Sequence, residues 1–561
     1  MVVLAALVPT TAIVVLLGTV LWISAQESVV EHRLTAEHYV ELFTDPAAFT
    51  ALLNTGVFSA SVVFWAMLFG LPIAWLIERT DLGLKATVST LMTLGVLIPG
   101  FMNAIGWLLL LHPRSGLLSR ALNGAFGIEQ PPIDLLTWPA MGWIEGMGLS
   151  AVVFILTSAS LRAMDSGLED AAQMSGAGLL QTLRRVTFPL VLPGLLGAVI
   201  FVLTIAISTF DVPLLIGLSN RTYVFSTYLF VQVRPHEQLP AYELTAAFGG
   251  FMIVIGALLG WLYARVLGQA RQFEVISGKS YRPRLVRLGR WRGAAWGFIT
   301  LYLVLTIVLP LLTLIWTSLL PFPALPSPEA AARVSLRNFT GLNVQLVATG
   351  LIHTVELMVI APLLAVASAL LMSWVVLRTG SRARYIIDVI AFQPQAVPRI
   401  VFAFGAIMLA LFVVPRELEL YGSLALLVIV MALVQIAFAT RLINASLIQI
   451  HHELEEAARV AGAGTFTVLR RVTIPLIRPA LLYGWLWLAM LAYRDLTLPT
   501  ILGSRDNATL SAVVYDFYRS GLTGEAAAVV VLMIVILAPM IGLYWRLSGA
   551  GRATSRPSSA S

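Results

Sequence analysis

The chain has 561 residues, of which 58% are apolar and only 12% charged, with a formal net charge of +7. A water-soluble protein carries roughly twice that share of charge, so the composition excludes a soluble globular fold and demands lipid as solvent. Cysteine is absent, which excludes disulfides, thiolate metal sites and Fe–S clusters.

Runs of roughly 20 apolar residues are candidates to cross a bilayer. The first, near 2–24, is apolar from its second residue, lacks the basic leader of a signal peptide and is too long for that peptide's core. It reads as a span, and the missing leader points to a natural start further upstream. Spans follow near 55–77, 88–112 and 139–161. A polar island then covers 168–193, LEDAAQMSGAGLLQTLRRVTFPLVLP. Two more spans, near 189–213 and 245–268, complete a first half.

The basic stretch 269–293 joins it to a second half and suits a strap beside anionic lipid heads. Within it, Gly278-Lys279-Ser280 imitates the end of a phosphate-binding loop. Position 273 is Phe where that loop needs Gly, so the chain shows no ATP site of its own.

Second-half spans lie near 294–317, 348–377, 385–413 and 421–443. Pro394 and Pro398 interrupt the third, which reads as broken or re-entrant. A second island, LEEAARVAGAGTFTVLRRVTIPLIRP, covers 454–479; spans near 479–502 and 526–547 follow. The Ser-rich tail 548–561 reads as disordered.

The islands align without a gap at an offset of 286, with 15 of 26 positions identical. Agreement of that length in two chain halves implies duplication. It continues beyond the islands, where Asp211-Val-Pro-Leu-Leu-Ile-Gly217 matches Thr497-Leu-Pro-Thr-Ile-Leu-Gly503. Six spans return the chain to one side of the membrane, so the repeats run parallel about a pseudo-two-fold axis along the membrane normal. Each island reads as two short helices joined at a bend, which Gly176 and Gly178, or Gly462 and Gly464, permit.

The island pattern closely resembles the EAA loop of permease subunits from ABC importers: EAA, three residues, Gly, nine residues, then I-x-L-P. Here it is Asp170-Ala171-Ala172, Gly176, Val186, Phe188 and Pro189, then Glu456-Ala457-Ala458, Gly462, Val472, Ile474 and Pro475. Asp170 replaces Glu, and Val186 and Val472 replace Ile. The fused layout resembles the ferric-iron type, whose relatives also carry thiamine, polyamines or phosphonates. SLRNFTGL (335–342), LRTGSRARYIIDVIAFQPQAVPRIV (377–401) and RDLTLPTILGS (494–504) carry that likeness.

The resemblance implies an all-α integral membrane protein of about twelve helices in two tandem six-helix permease domains, 1–268 and 294–547, with loops about 162–188 and 447–478. It implies a subunit without an ATPase site or cofactor. Two ATPase subunits would dock inside the cell and a solute-binding protein outside. Glu169, Asp170, Ala171, Ala172, Gly176, Arg184 and Arg185 would meet one ATPase subunit. Glu455, Glu456, Ala457, Ala458, Gly462, Arg470 and Arg471 would meet the other. A small polar solute or ion, ferric iron first, would cross the inner membrane by alternating access.

Orientation follows from the basic residues. With the N-terminus inside, 24 of the 36 Lys and Arg fall in inner segments, ten in outer ones, and Arg399 and Arg494 within spans. Both termini and both loops are then cytoplasmic. The basic excess marks topology rather than a nucleic-acid partner. Polar groups inside spans are costly and often functional. Asp211, Gln393, Gln395, Arg399, Arg494 and Asp495 are the candidates for a transport path. His353 and Glu356 share a helix face, but two ligands do not complete a metal site. A secondary transporter driven by an ion gradient is the alternative; it has no use for matched cytosolic loops.

Overall fold

The computed structural model describes residues 2–28, 33–113, 115–127, 137–164, 167–233, 241–270, 285–380 and 382–548. Most of the linker, with Gly278-Lys279-Ser280, and the tail beyond 548 lie outside these residues. The architecture is helical throughout, because a backbone in hydrocarbon must satisfy its own polar groups. Two isolated β-bridges are the extended pairings among the described residues.

Among the described residues, the spans, bent pairs and loop helices form two sets of eight, with shorter helices such as Glu37–Thr44, Phe225–Val233 and Leu510–Arg519 between them. The first set is α1 (Val2–Ser24), α2 (Pro46–Arg79), α3 (Lys85–Gly95), α4 (Gly100–Leu111), α5 (Trp138–Ala163), α6 (Gly167–Met174), α7 (Leu179–Ser208) and α8 (Tyr242–Ala270). The second is α9 (Gly289–Ser318), α10 (Val344–Arg378), α11 (Ala383–Ala396), α12 (Arg399–Phe412), α13 (Leu424–Ile448), α14 (His452–Val460), α15 (Thr465–Tyr493) and α16 (Thr523–Ser548). Side chains cap several starts: Asp45 accepts from the Ala48 amide at 2.8 Å and Asn343 from Leu346 at 3.1 Å.

Among the described residues ten helices are long and apolar enough to cross a bilayer, or twelve spans if each bent pair counts as one. Each expected span falls on one of these helices or bent pairs, but the runs near 189–213 and 479–502 end early, at Ser208 and Tyr493, and Thr497–Leu502 is a separate short helix. The run 88–112, however, is not a plain helix. It bends by 91° between α3 and α4, as 385–413 bends by 106° between α11 and α12. Pro99 and Pro398 precede the outgoing helices, and a proline cannot continue a helical hydrogen-bond ladder.

In each half one long helix pairs with the span before the loop, α2 with α5 and α10 with α13, and α7 or α15 packs on that pair. The first helix of each half crosses to the other. Helix α1 packs on α10, α11 and α12, while α9 packs on α4. Glycines allow these crossings. A Cβ on Gly106 of α4 would lie 2.8 Å from Pro310 of α9, and one on Gly405 of α12 would lie 2.6 Å from the Leu16 carbonyl of α1.

The start of α9 is fixed to the first half. The Val286 amide donates to the Arg79 carbonyl at 2.9 Å, and the Leu288 amide to Asp81 Oδ1 at 2.9 Å. From there α9 crosses, and α10 returns to end at Arg378. Because Arg79 lies against the first loop and Arg378 against the second, both loops sit at the same end of the bundle.

Candidate functional site

The two polar islands fold alike. Two residues past α6 the chain turns at Gly176 with φ +87°, and two past α14 at Gly462 with φ +86°. The amide of Ala177 bonds the Ala172 carbonyl at 3.0 Å, and Ala463 bonds Ala458 at 3.0 Å. This is the Schellman arrangement, which glycine supports because it alone meets no Cβ penalty there. The following LRRVT segments, Leu183–Thr187 and Leu469–Thr473, are π-helical turns. A widened turn relieves the ring of the proline two residues on, Pro189 or Pro475, against the carbonyl four residues back.

Glu169 and Glu455 turn into the bundle. Glu169 meets Arg79 at 3.3 Å and accepts from the Thr187 hydroxyl at 2.6 Å. Glu455 accepts from Arg378 at 3.2 Å and Thr473 at 3.2 Å. Each arginine also ties the end of the preceding span, Arg79 to the Leu161 carbonyl at 3.0 Å and Arg378 to Leu447 at 2.8 Å. These two glutamates hold the loop to the bundle. Arg79, Arg378, Thr187 and Thr473 are partners that the loop pattern does not single out, although both threonines recur at the 286 offset.

The opposite face is open. Asp170 and Ala172 are half-buried, as is Ala458, while Ala171, Ala457, Glu456, Arg184, Arg185, Arg470 and Arg471 are exposed. Matched apolar side chains stand beside the glycines: Met174 is 86% exposed and Val460 90%, with Leu180 at 79% and Phe466 at 64%. A cleft of about 280 Å³ opens between α6 and α7, lined by Ala172, Gly176, Gln181 and Arg185.

A second site lies where the halves meet. Arg399 pairs with buried Asp495, and Arg494 donates to the Val96 carbonyl at the end of α3. The Thr497 hydroxyl donates to Asp211 at 3.1 Å. Glu145 of α5 belongs here too, accepting from the Thr209 hydroxyl at 3.2 Å. The structure thus joins Asp211, Arg399, Arg494 and Asp495 in one region. It brings Gln393 and Gln395 to the nearby α11 bend, with no hydrogen bond from their side chains to this cluster. Sequence reading misses Glu145, Thr209 and Thr497; the lone carboxylate in an apolar span is the signal that could have found Glu145. His353 contacts the Ala508 carbonyl at 3.3 Å, a packing contact between α10 and the chain before α16.

Known transport proteins are similar to this chain in sequence. The Fe(3+)-transport system permease protein FbpB 2 of Haemophilus influenzae is 23% identical over 501 residues, 89% of this chain and 89% of that protein. The ferric transport system permease protein FbpB of Actinobacillus pleuropneumoniae is 22% identical over 467 residues, 80% of this chain and 64% of that one. The sulfate transport system permease protein CysT of Salmonella typhimurium is 26% identical over 258 residues, 45% of this chain and 83% of its own. The family model described as binding-protein-dependent transport system inner membrane component matches twice, at residues 62–273 and 361–548. The chain therefore belongs to that family, as a multi-pass permease of the ABC-importer type with both permease domains fused in one polypeptide.

Proposed function

We infer that this permease carries ferric iron, delivered by an external solute-binding protein and driven by two separate ATPase subunits docked on its paired loops. The observation that carries the docking reading is the pair of matched loops at one end of the bundle, each presenting exposed apolar side chains beside a left-handed glycine. Exposed apolar groups on a rigid bent helix pair are what a partner's cleft can grip. Met174 and Leu180 take one ATPase subunit, Val460 and Phe466 the other. Asp170, Glu456 and the exposed arginine pairs set the orientation. Glu169 and Glu455 transmit load inward, through Arg79 to α2 and through Arg378 to α10. Both loops and both termini face the cytoplasm, a reading that rests on the bias of Lys and Arg. The domain limits follow the duplication, 1–268 and 294–547, with the strap between and a short tail after.

ATP closes the ATPase pair, and the loops pass that closure to the two halves as rocking about their common axis. The stroke shifts the population between two states of the path. The path runs along the axis, past Asp211, Arg399, Arg494 and Asp495. Ferric iron as cargo rests on the iron-transport relatives.

Liposomes holding this chain, its ATPase and the binding protein loaded with radiolabelled ferric iron test the reading. Uptake is expected with ATP and no ion gradient, and is lost in Gly176→Trp and Gly462→Trp. Uptake that needs an ion gradient and ignores ATP would overturn it.

A further inference from the structure

The charges between the halves break the duplication. At the 286 offset, Ser208 stands opposite Arg494, Thr209 opposite Asp495, Asp211 opposite Thr497 and Glu145 opposite Met431. Gly100 and Arg399 likewise follow the two prolines at the bends. At every one of these positions one half holds the ionisable group and the other a neutral residue.

Two of the contacts join one half to the other. Asp211 and Thr497 are equivalent positions, yet they touch at 3.1 Å. Equivalent residues meet only beside the axis that relates the halves, so this hydrogen bond lies beside that axis. Arg494, at the end of the long second-half helix α15, donates to the Val96 carbonyl at the C-terminal end of α3. A helix end leaves its last carbonyls unpaired and carries partial negative charge, so a guanidinium is well placed there.

We propose that Asp211–Thr497 and Arg494–Val96 form a latch that closes the path between the halves in this conformation and parts when the path opens. The latch needs unlike partners. Two copies of the first half would set Asp211 against Asp211, and like carboxylates in a buried site repel. Two copies of the second half would set Thr497 against Thr497, with no carboxylate to accept. The fused chain is thus a pair of unequal halves, and neither replaces the other.

The latch rests on the transport cycle inferred above, and one experiment separates the two. The chain has no cysteine, so Asp211→Cys with Thr497→Cys gives an engineered pair free of background. The double variant is expressed in intact cells with its native partners and treated with a membrane-permeant thiol oxidant. Crosslinking within the chain is read under three conditions: energised, ATP-depleted with the ion gradient kept, and treated with ionophore with ATP kept. The latch predicts a yield that changes severalfold on ATP depletion alone. A yield that changes only with ionophore keeps the latch and overturns the ATP-driven cycle. A yield equal in all three conditions, or no crosslink, overturns the latch and makes these contacts static packing. Val96→Cys with Arg494→Cys reads the second contact in the same three conditions and stands in if the first pair fails to insert.

Discussion

Each loop hangs on an inward-turned carboxylate that has both a guanidinium and a hydroxyl for partners. In each pair one member is sealed from water, Arg79 at 2% exposed in the first and Glu455 at 3% in the second. Removing one member of such a pair leaves the other uncompensated and costs about 3–5 kcal/mol. Arg378→Ala is therefore expected to lower the thermal midpoint in detergent sharply and to open the second loop to protease. Glu456→Ala sits on the exposed face beside His452, where a surface change stays within about 0.5 kcal/mol. It leaves the midpoint in place and weakens ATPase association, read by co-purification. The adjacent glutamates Glu455 and Glu456 look alike in the sequence and have different duties. Which of the two faces inward depends on where Arg378 ends α10, more than seventy residues earlier.

At the scale of elements, two kinds of glycine do different work. Gly176 and Gly462 have open space around a built Cβ, so a substitution there is resisted by backbone conformation alone. The left-handed region costs another residue about 1–2 kcal/mol, so Gly462→Ala should loosen the bend while leaving the spans packed. Loop proteolysis at an unchanged midpoint is the expected pattern. Gly405 instead meets the α1 backbone, and Gly405→Val overpacks that crossing by about 1–3 kcal/mol. Gly18→Val on α1 itself has nothing within 4 Å and should be neutral, so the two midpoints together check the exchange of α1.

The bend of the second broken pair is legible because Pro394 and Pro398 stand among the polar residues Gln393, Gln395 and Arg399. Its first-half counterpart is hidden, since Pro99 stands in a run with no charge between Lys85 and Arg114. The bends of the two loops are legible, because Gly, small residues and the final proline fall at fixed spacing twice.

For the molecule as a whole, composition and the 286 offset carry the architecture: helices in lipid, a doubled unit, and loops at one end. They do not carry the exchange of α1 and α9 between halves, which depends on which apolar faces find each other. Nor do they carry the meeting of Asp211 with Thr497, which requires both halves to be folded. Because α1 covers α12 and α9 covers α4, deleting residues 2–24 should unsettle the second half. Protease sensitivity is then expected to rise at 399–412, in the other domain from the deletion.

The central claim, that one engine grips both loops from the cytoplasm, is tested most directly by placing single cysteines at Met174 and Val460 in this cysteine-free chain. Membrane vesicles of known sidedness are labelled with an impermeant thiol reagent, with and without the ATPase subunit. Both positions should label from the cytoplasmic side only, and both should be shielded when the ATPase binds. Labelling of the two from opposite sides, or labelling that the ATPase leaves unchanged, would contradict it.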